Sequence, residues 1–156
     1  MLNLKLRFVT RVLLTLMVGC LGGCATGPGG VRPLSKDAAE TGLVNCPPRP
    51  SCVSSRDTAG IHQIAPIKFE GDGAAAMKHL HEIMAVMPRT KIVDSGDRYI
   101  HATQASSVFH FVDDVEFLLD TKNAQIEVRS CARFGFYDFG VNRRRVEKIR
   151  LALSPG

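Results

Sequence analysis

The stretch "FHFVDDVEFLLDTKNAQIEVRSCA", residues 109–132, decides the fold class. Two alternating runs flank the polar turn formers Thr121 to Asn123, which predicts a β-hairpin. Successive side chains of a strand point to opposite sides, so Phe111, Val115, Phe117 and Leu119 share one face while Asp114, Glu116 and Asp120 share the other. Asp113 falls in phase with the apolar face. A buried carboxylate is costly unless paired, and Arg129 or Arg133 is its expected partner.

Outward from this hairpin the same reading gives the remaining elements. "RTKIVDSGDRYIHATQA", residues 89–105, predicts a second hairpin turning at Asp94 to Asp97. Upstream, Gln63 to Phe69 reads as a strand. Asp72 then caps a helix running to about Met87, with Met77, Leu80, Met84 and Met87 near one face and Pro88 as the stop. Asn142 to Leu153 reads as a second helix with Val146, Ile149 and Leu153 as its buried stripe. The order β-α-β-β-β-β-α predicts an α+β fold: a curved antiparallel sheet of about five strands with two helices packed on one face.

The amino-terminal residues speak to location. Lys5, Arg7 and Arg11 precede an apolar run from Val12 to Leu21 that closes on small residues and cysteine, the layout of an export signal. The run is about half of the ~20 residues a membrane span needs. "LGGC", Leu21 to Cys24, resembles the lipobox of bacterial lipoproteins, which implies a signal over residues 1–23 and lipidation at Cys24. Cys20 is the second choice, and an ordinary secretory signal with incidental cysteines is the alternative. Residues 24–45, rich in Gly, Pro and small side chains, read as the lipidated Cys and a flexible linker. Residues 46–156 read as a single domain. Ala25 after the cysteine implies sorting to the outer membrane, on its periplasmic face.

Location bears on cysteines and charge. In an exported chain the spacing of Cys46 and Cys52 across "CPPRPSC" favours a disulfide over a redox or metal pair. Cys131, within an alternating strand, reads first as a small buried hydrophobe. The whole chain carries 20 Lys+Arg against 15 Asp+Glu, but residues 1–23 contain three of the bases and none of the acids. Without them the excess is only +2, too little to suggest a nucleic-acid partner. The charge that remains is polarised. Residues 129–150 hold seven bases and two acids, whereas residues 24–128 hold ten bases and thirteen acids.

Arg143, Arg144 and Arg145 open the last helix, where the helix dipole disfavours cations. Either Asp113, Asp114 or Glu116 offsets them from the sheet, or an external anion does, or they form a simple solvated surface. No metal-ligand spacing joins the five histidines, and no nucleophile or phosphate-loop motif is present. Neither a cofactor nor a catalytic residue is therefore assigned. Phe134, Phe136 and Phe139 are expected to divide between core and rim, the alternative being that they line an apolar pocket.

Several motifs together resemble a bacterial family catalogued as domain of unknown function 1499. They are the C-x-x-x-x-x-C-V-S-S opening at Cys46 to Ser55, F-V-D-D at Phe111 to Asp114, and R-S-x-x-R-x-G-x-x-D-x-G-x-N-R-x-R-V from Arg129 to Val146. Cys131 departs from the pattern, where alanine is usual. The resemblance implies an envelope or membrane-associated domain and brings no activity. Asp113, Asp114, Arg129, Arg133, Asp138, Asn142, Arg143 and Arg145 form the candidate set, as a structural ion network or an anion-binding site. The expected function is a lipid-anchored envelope module that binds an anionic or amphipathic ligand or an envelope protein. The alternatives are a hydrolase or transferase using Asp113 with Arg129 or Arg133, and a purely structural subunit of a complex.

Overall fold

The computed structural model describes residues 38–154. The expected export signal and the expected acylation at Cys24 lie outside the described residues, as does most of the expected linker. The elements run α1 (Ala38–Thr41), β1 (Cys52–Ser54), a 3-10 turn (Gly60–His62), β2 (Ile67–Lys68), α2 (Gly73–Val86), β3 (Thr90–Ser95), β4 (Tyr99–Ala105), β5 (Val112–Asp120), β6 (Gln125–Ala132) and α3 (Val141–Leu153). They form the expected α+β fold, an open antiparallel sheet with α2 and α3 against it. The strand order is β1-β6-β5-β4-β3, and β2 also pairs with β6.

The sheet has six strands rather than about five. Residues 52–54 pair with 129–131, while Ile67 and Lys68 pair with Ile126 and Gln125, so β1 and β2 share one edge of β6. The strand expected over Gln63 to Phe69 is correspondingly short. Pro66 has no N–H to offer a ladder, and only the two residues after it pair. Val93 bulges where the β3–β4 register shifts between Ile92 and Asp94, a device that increases local twist.

The apolar row of the central hairpin faces the helices. Val115, Phe117, Leu119, Ile126 and Val128 pack with Ile100 and Ala102 of β4, with Met77, Leu80 and Met84 of α2, and with Val146, Ile149 and Leu153 of α3. Phe117 has no exposed surface, and cutting such a ring to Ala costs roughly 3–5 kcal/mol. Helix α2 starts as expected: the Asp72 carboxylate accepts from the N–H groups of Ala74 and Ala75. Gly73 lets that end approach the sheet, since a Cβ there would sit 3.0 Å from Leu119 Cδ1. The folded unit begins before Cys46. Leu43 is buried and packs with Tyr99 and Leu118 on the opposite face of the sheet.

Two expectations about aromatic residues fail. Phe111 lies just before β5 and is half exposed, and Phe134, Phe136 and Phe139 are all exposed rather than shared with the core. The core is already filled by aliphatic side chains from the two helices, and β6 ends at Ala132, which puts these phenylalanines in a loop.

Candidate functional site

Period two divides the candidate residues between the two faces of the sheet. On the helix side, Gln104, Asp113 and Ala132 are lateral neighbours across β4, β5 and β6, and Ser130 stands one pair along. The apolar row thus ends in a polar patch beneath the start of α3. Arg145, 6% exposed, reaches down into it from the helix. Its Nη2 donates to Asp113 Oδ2 at 2.6 Å, and its Nη1 donates to Ser130 Oγ at 2.9 Å and to Asn142 Oδ1 at 2.6 Å. Its Nε donates to Gln104 Oε1. One guanidinium ties α3 to three strands.

Asp138 completes this side. Gly140 precedes the helix in the left-handed region and offers no side chain to cap it. The Asp138 carboxylate accepts instead from the backbone N–H of Gly140 at 2.9 Å, and from the backbone and side-chain amides of Asn142 at 2.8 and 2.9 Å. A carboxylate here also opposes the positive end of the helix. The question raised by three arginines at a helix start thus has an internal answer for Arg145 only. Arg143 donates to the carbonyls of Ile61 and Gln63, and Arg144 to the carbonyl of Phe139.

The opposite face carries a second network, buried except for Arg133, whose side chain is 43% exposed. Arg129 Nη1 donates to Glu116 Oε2 at 2.7 Å, and the Tyr99 hydroxyl donates to Glu116 Oε1 at 2.9 Å. Asp114 accepts from His101 Nε2 at 2.8 Å and, through both oxygens, from Arg133 Nε and Nη2 at 2.8 Å each. Nε and Nη2 of Arg129 are buried with no hydrogen-bond partner. The expected pairing of Asp113 with Arg129 or Arg133 is therefore corrected. Those arginines occupy the other face, and the helix supplies the counter-charge. The same geometry removes the arrangement that a catalytic Asp113 with Arg129 or Arg133 requires.

Protonation follows these surroundings. Burial pushes the Asp113 carboxyl above its ordinary range, outweighing the pull of Arg145. Burial acts the same way on Asp114, but the hydrogen bonds from His101 and Arg133 outweigh it and hold that carboxyl low. Burial, followed by the charge of Glu116, drives the Tyr99 phenol up. The Cys131 thiol is likewise pushed up by burial, which keeps it protonated and a poor nucleophile. Cys46 and Cys52 form a disulfide.

Beside the first network lies a cleft of about 250 Å³ lined by Met87, Pro88, Arg89, Gln104, Val141, Arg144, Arg145 and Lys148. Four of these eight residues are cationic and none is acidic. Arg145 is neutralised by Asp113, whereas Arg89, Arg144 and Lys148 have no carboxylate partner among the described residues. Arg89 was not legible in the sequence as part of any site. It follows the stop of α2, and its left-handed backbone, φ 57°, turns it toward β4, where Nε donates to the Ala105 carbonyl. Gln104 was missed too, for its role appears only once β4 lies beside Asp113. Among the described residues no group of three or more His, Cys, Asp or Glu could hold a metal ion, and no helix is long and apolar enough to cross a membrane.

No curated protein and no solved structure matches the chain. A family model described as "Protein of unknown function (DUF1499)" matches residues 42–153. That span contains both ion networks and every residue of the cleft, and the chain belongs to this family.

Proposed function

We propose that this protein is a non-enzymatic binding module of the cell envelope, held by a lipid on Cys24, which takes a small anionic group in the cleft between the end of α2 and the start of α3. The observation that carries the reading is the cleft wall: four cations, no acid, and the apolar surface of Met87, Pro88 and Val141 beside them. Pockets for drug-sized molecules enclose about 300–1,000 Å³. A cleft of about 250 Å³ suits one phosphate or carboxylate group with a short apolar flank. Arg145, anchored by Asp113, forms its rigid floor, while Arg144 and Lys148 stand on the exposed side of α3.

The test is an isothermal titration of the protein with inorganic phosphate and with glycerol 1-phosphate. Saturable binding weakened about tenfold or more in the Arg144→Ala/Lys148→Ala variant supports the reading, as the loss of two charge-assisted contacts requires. Binding that is absent at millimolar ligand, or indifferent to both substitutions, overturns it. The lipid on Cys24 is tested separately by the intact mass of protein purified from membranes, where an unacylated amino terminus removes the anchor.

A further inference from the structure

Six of the ten Phe and Tyr residues of this chain stand exposed on two loops at one end of the sheet. Phe109 and Phe111 come from the loop between β4 and β5. Phe134, Phe136, Tyr137 and Phe139 come from the loop between β6 and α3. Their exposures run from 50% to 78%. The loops adjoin: Arg133 N–H donates to the Val112 carbonyl, and the Phe111 and Phe134 rings lie 6.2 Å apart. Phe109 stacks on Phe111 at 5.6 Å, and Tyr137 meets Phe139 edge-on at 5.1 Å. Five of the six rings thus meet another ring of the patch, and none of the six packs into the core. Apolar patches of this kind mark interaction sites.

Backbone and charge indicate what covers the patch. His110 and Phe139 both take left-handed conformations, φ 53° and 54°, which non-glycine residues adopt at a cost. Phe139 nevertheless stays the most exposed ring of the six, its edge contact with Tyr137 covering little of it. Two cations without a carboxylate partner among the described residues border the patch. Arg89 bonds the Ala105 carbonyl beside the first loop, and Arg144 bonds the Phe139 carbonyl within the second. Nearby Asp113 and Asp114 are paired and buried, and Asp138 is spent on the start of α3. Exposed aromatic rings flanked by two cations that no carboxylate neutralises complement an anionic lipid surface, where rings sit at headgroup depth and cations meet the negative potential.

We infer that these two loops dock the domain onto a bilayer rich in anionic phospholipid, with Phe109, Phe136 and Phe139 entering the interface and the neighbouring cleft taking a lipid phosphate. The second half of this inference rests on the cleft reading proposed above, and the loop insertion does not. Lys148 and Arg144 would face the headgroups, while the far end of α3 stays in water.

The chain contains no tryptophan, so Phe136→Trp and Phe109→Trp each place a single tryptophan, excited selectively over the two tyrosines, in one loop of the full chain. Leu151→Trp, 76% exposed in the last turn of α3, serves as the control. On vesicles containing phosphatidylglycerol, both loop fluorophores should shift to the blue and be quenched by brominated acyl chains, whereas the control should respond to neither. Pure phosphatidylcholine, or salt raised from 0.1 to 1 M so that the Debye length falls from about 10 to about 3 Å, should abolish the response. Removing Arg89 or Arg144 should weaken it about fivefold each, the equivalent of one basic residue at a charged surface. Silent loop fluorophores, or an equal response at Leu151→Trp, overturn the inference. A blue shift that grows with protein concentration without vesicles assigns the patch to a second copy and also overturns it. Phosphate titration of the same variants separates the two readings. Silent loops with phosphate still bound defeat the docking alone, and inserted loops without phosphate binding support the docking while defeating the cleft.

Discussion

Replacing Arg145 with Ala should be among the most damaging single changes in this protein. The pair it forms with Asp113 is nearly sealed, the side chains being 5% and 12% exposed. Breaking such a pair leaves an uncompensated carboxylate and costs about 3–5 kcal/mol. Gln104, Ser130 and Asn142 lose a donor in the same step. For a domain of this size the loss corresponds to roughly 12–20 °C in melting temperature, at about 4 °C per kcal/mol. The pH dependence carries the sign of the mechanism. Asp113 is already raised in the folded protein, and losing Arg145 raises it further, so between the unfolded and folded pKa the native state binds the extra proton. Stability of the variant therefore falls as pH rises through that window and recovers as pH is lowered. Urea unfolding followed by circular dichroism at pH 7 and pH 4.5 should show the gap to wild type narrowing at the lower pH. The companion Asp113→Leu/Arg145→Met variant should recover much of the loss, because apolar replacement of a buried pair is often neutral or better. A cost below about 1 kcal/mol, or a gap constant with pH, would refute the reasoning.

Other outcomes follow from the same geometry. Glu116→Ala removes the carboxylate from Arg129, a guanidinium with no exposed surface, and should cost about 3–5 kcal/mol by denaturant titration. Asp114→Asn should flatten the acid side of the stability profile. Its carboxyl is held below the ordinary value, so its contribution is complete above the unfolded pKa and is lost as pH falls through the folded one. Melting curves between pH 2 and 6 check this. Reducing the Cys46–Cys52 bond should cost about 2 kcal/mol for so short a loop, read as a shift of the urea midpoint with and without reductant. Asp72→Ala should cost about 1 kcal/mol through the lost cap of α2, by the same titration.

The central hairpin was legible because its signal is local. Alternation over residues 111–120 assigns each side chain to a face without any knowledge of what lies opposite, and the caps at Asp72 and the stop at Pro88 work within one turn of helix. Strand β1 was not legible, since three residues beside a disulfide show no period, and only the free edge of β6 makes them a strand. The aromatic loop over residues 134–139 was misread for a related reason. Hydrophobicity marks a residue as suited to the core, but whether the core has room depends on how many aliphatic side chains two distant helices deliver.

The candidate site divides along the same line. Composition and spacing alone determined that arginines gather near the start of the last helix, that two carboxylates sit side by side in β5, and that adjacent positions must face opposite ways. Only the tertiary structure decided which charges meet. Asp113 pairs with a residue 32 positions away on a helix instead of with Arg129 in the next strand or Arg133 just past its end, and Arg89 joins the cleft from the far end of α2. A strand's periodicity fixes direction, whereas an ion pair needs two groups within about 3–4 Å. That distance is set by sheet register and helix placement, which no local stretch of sequence contains.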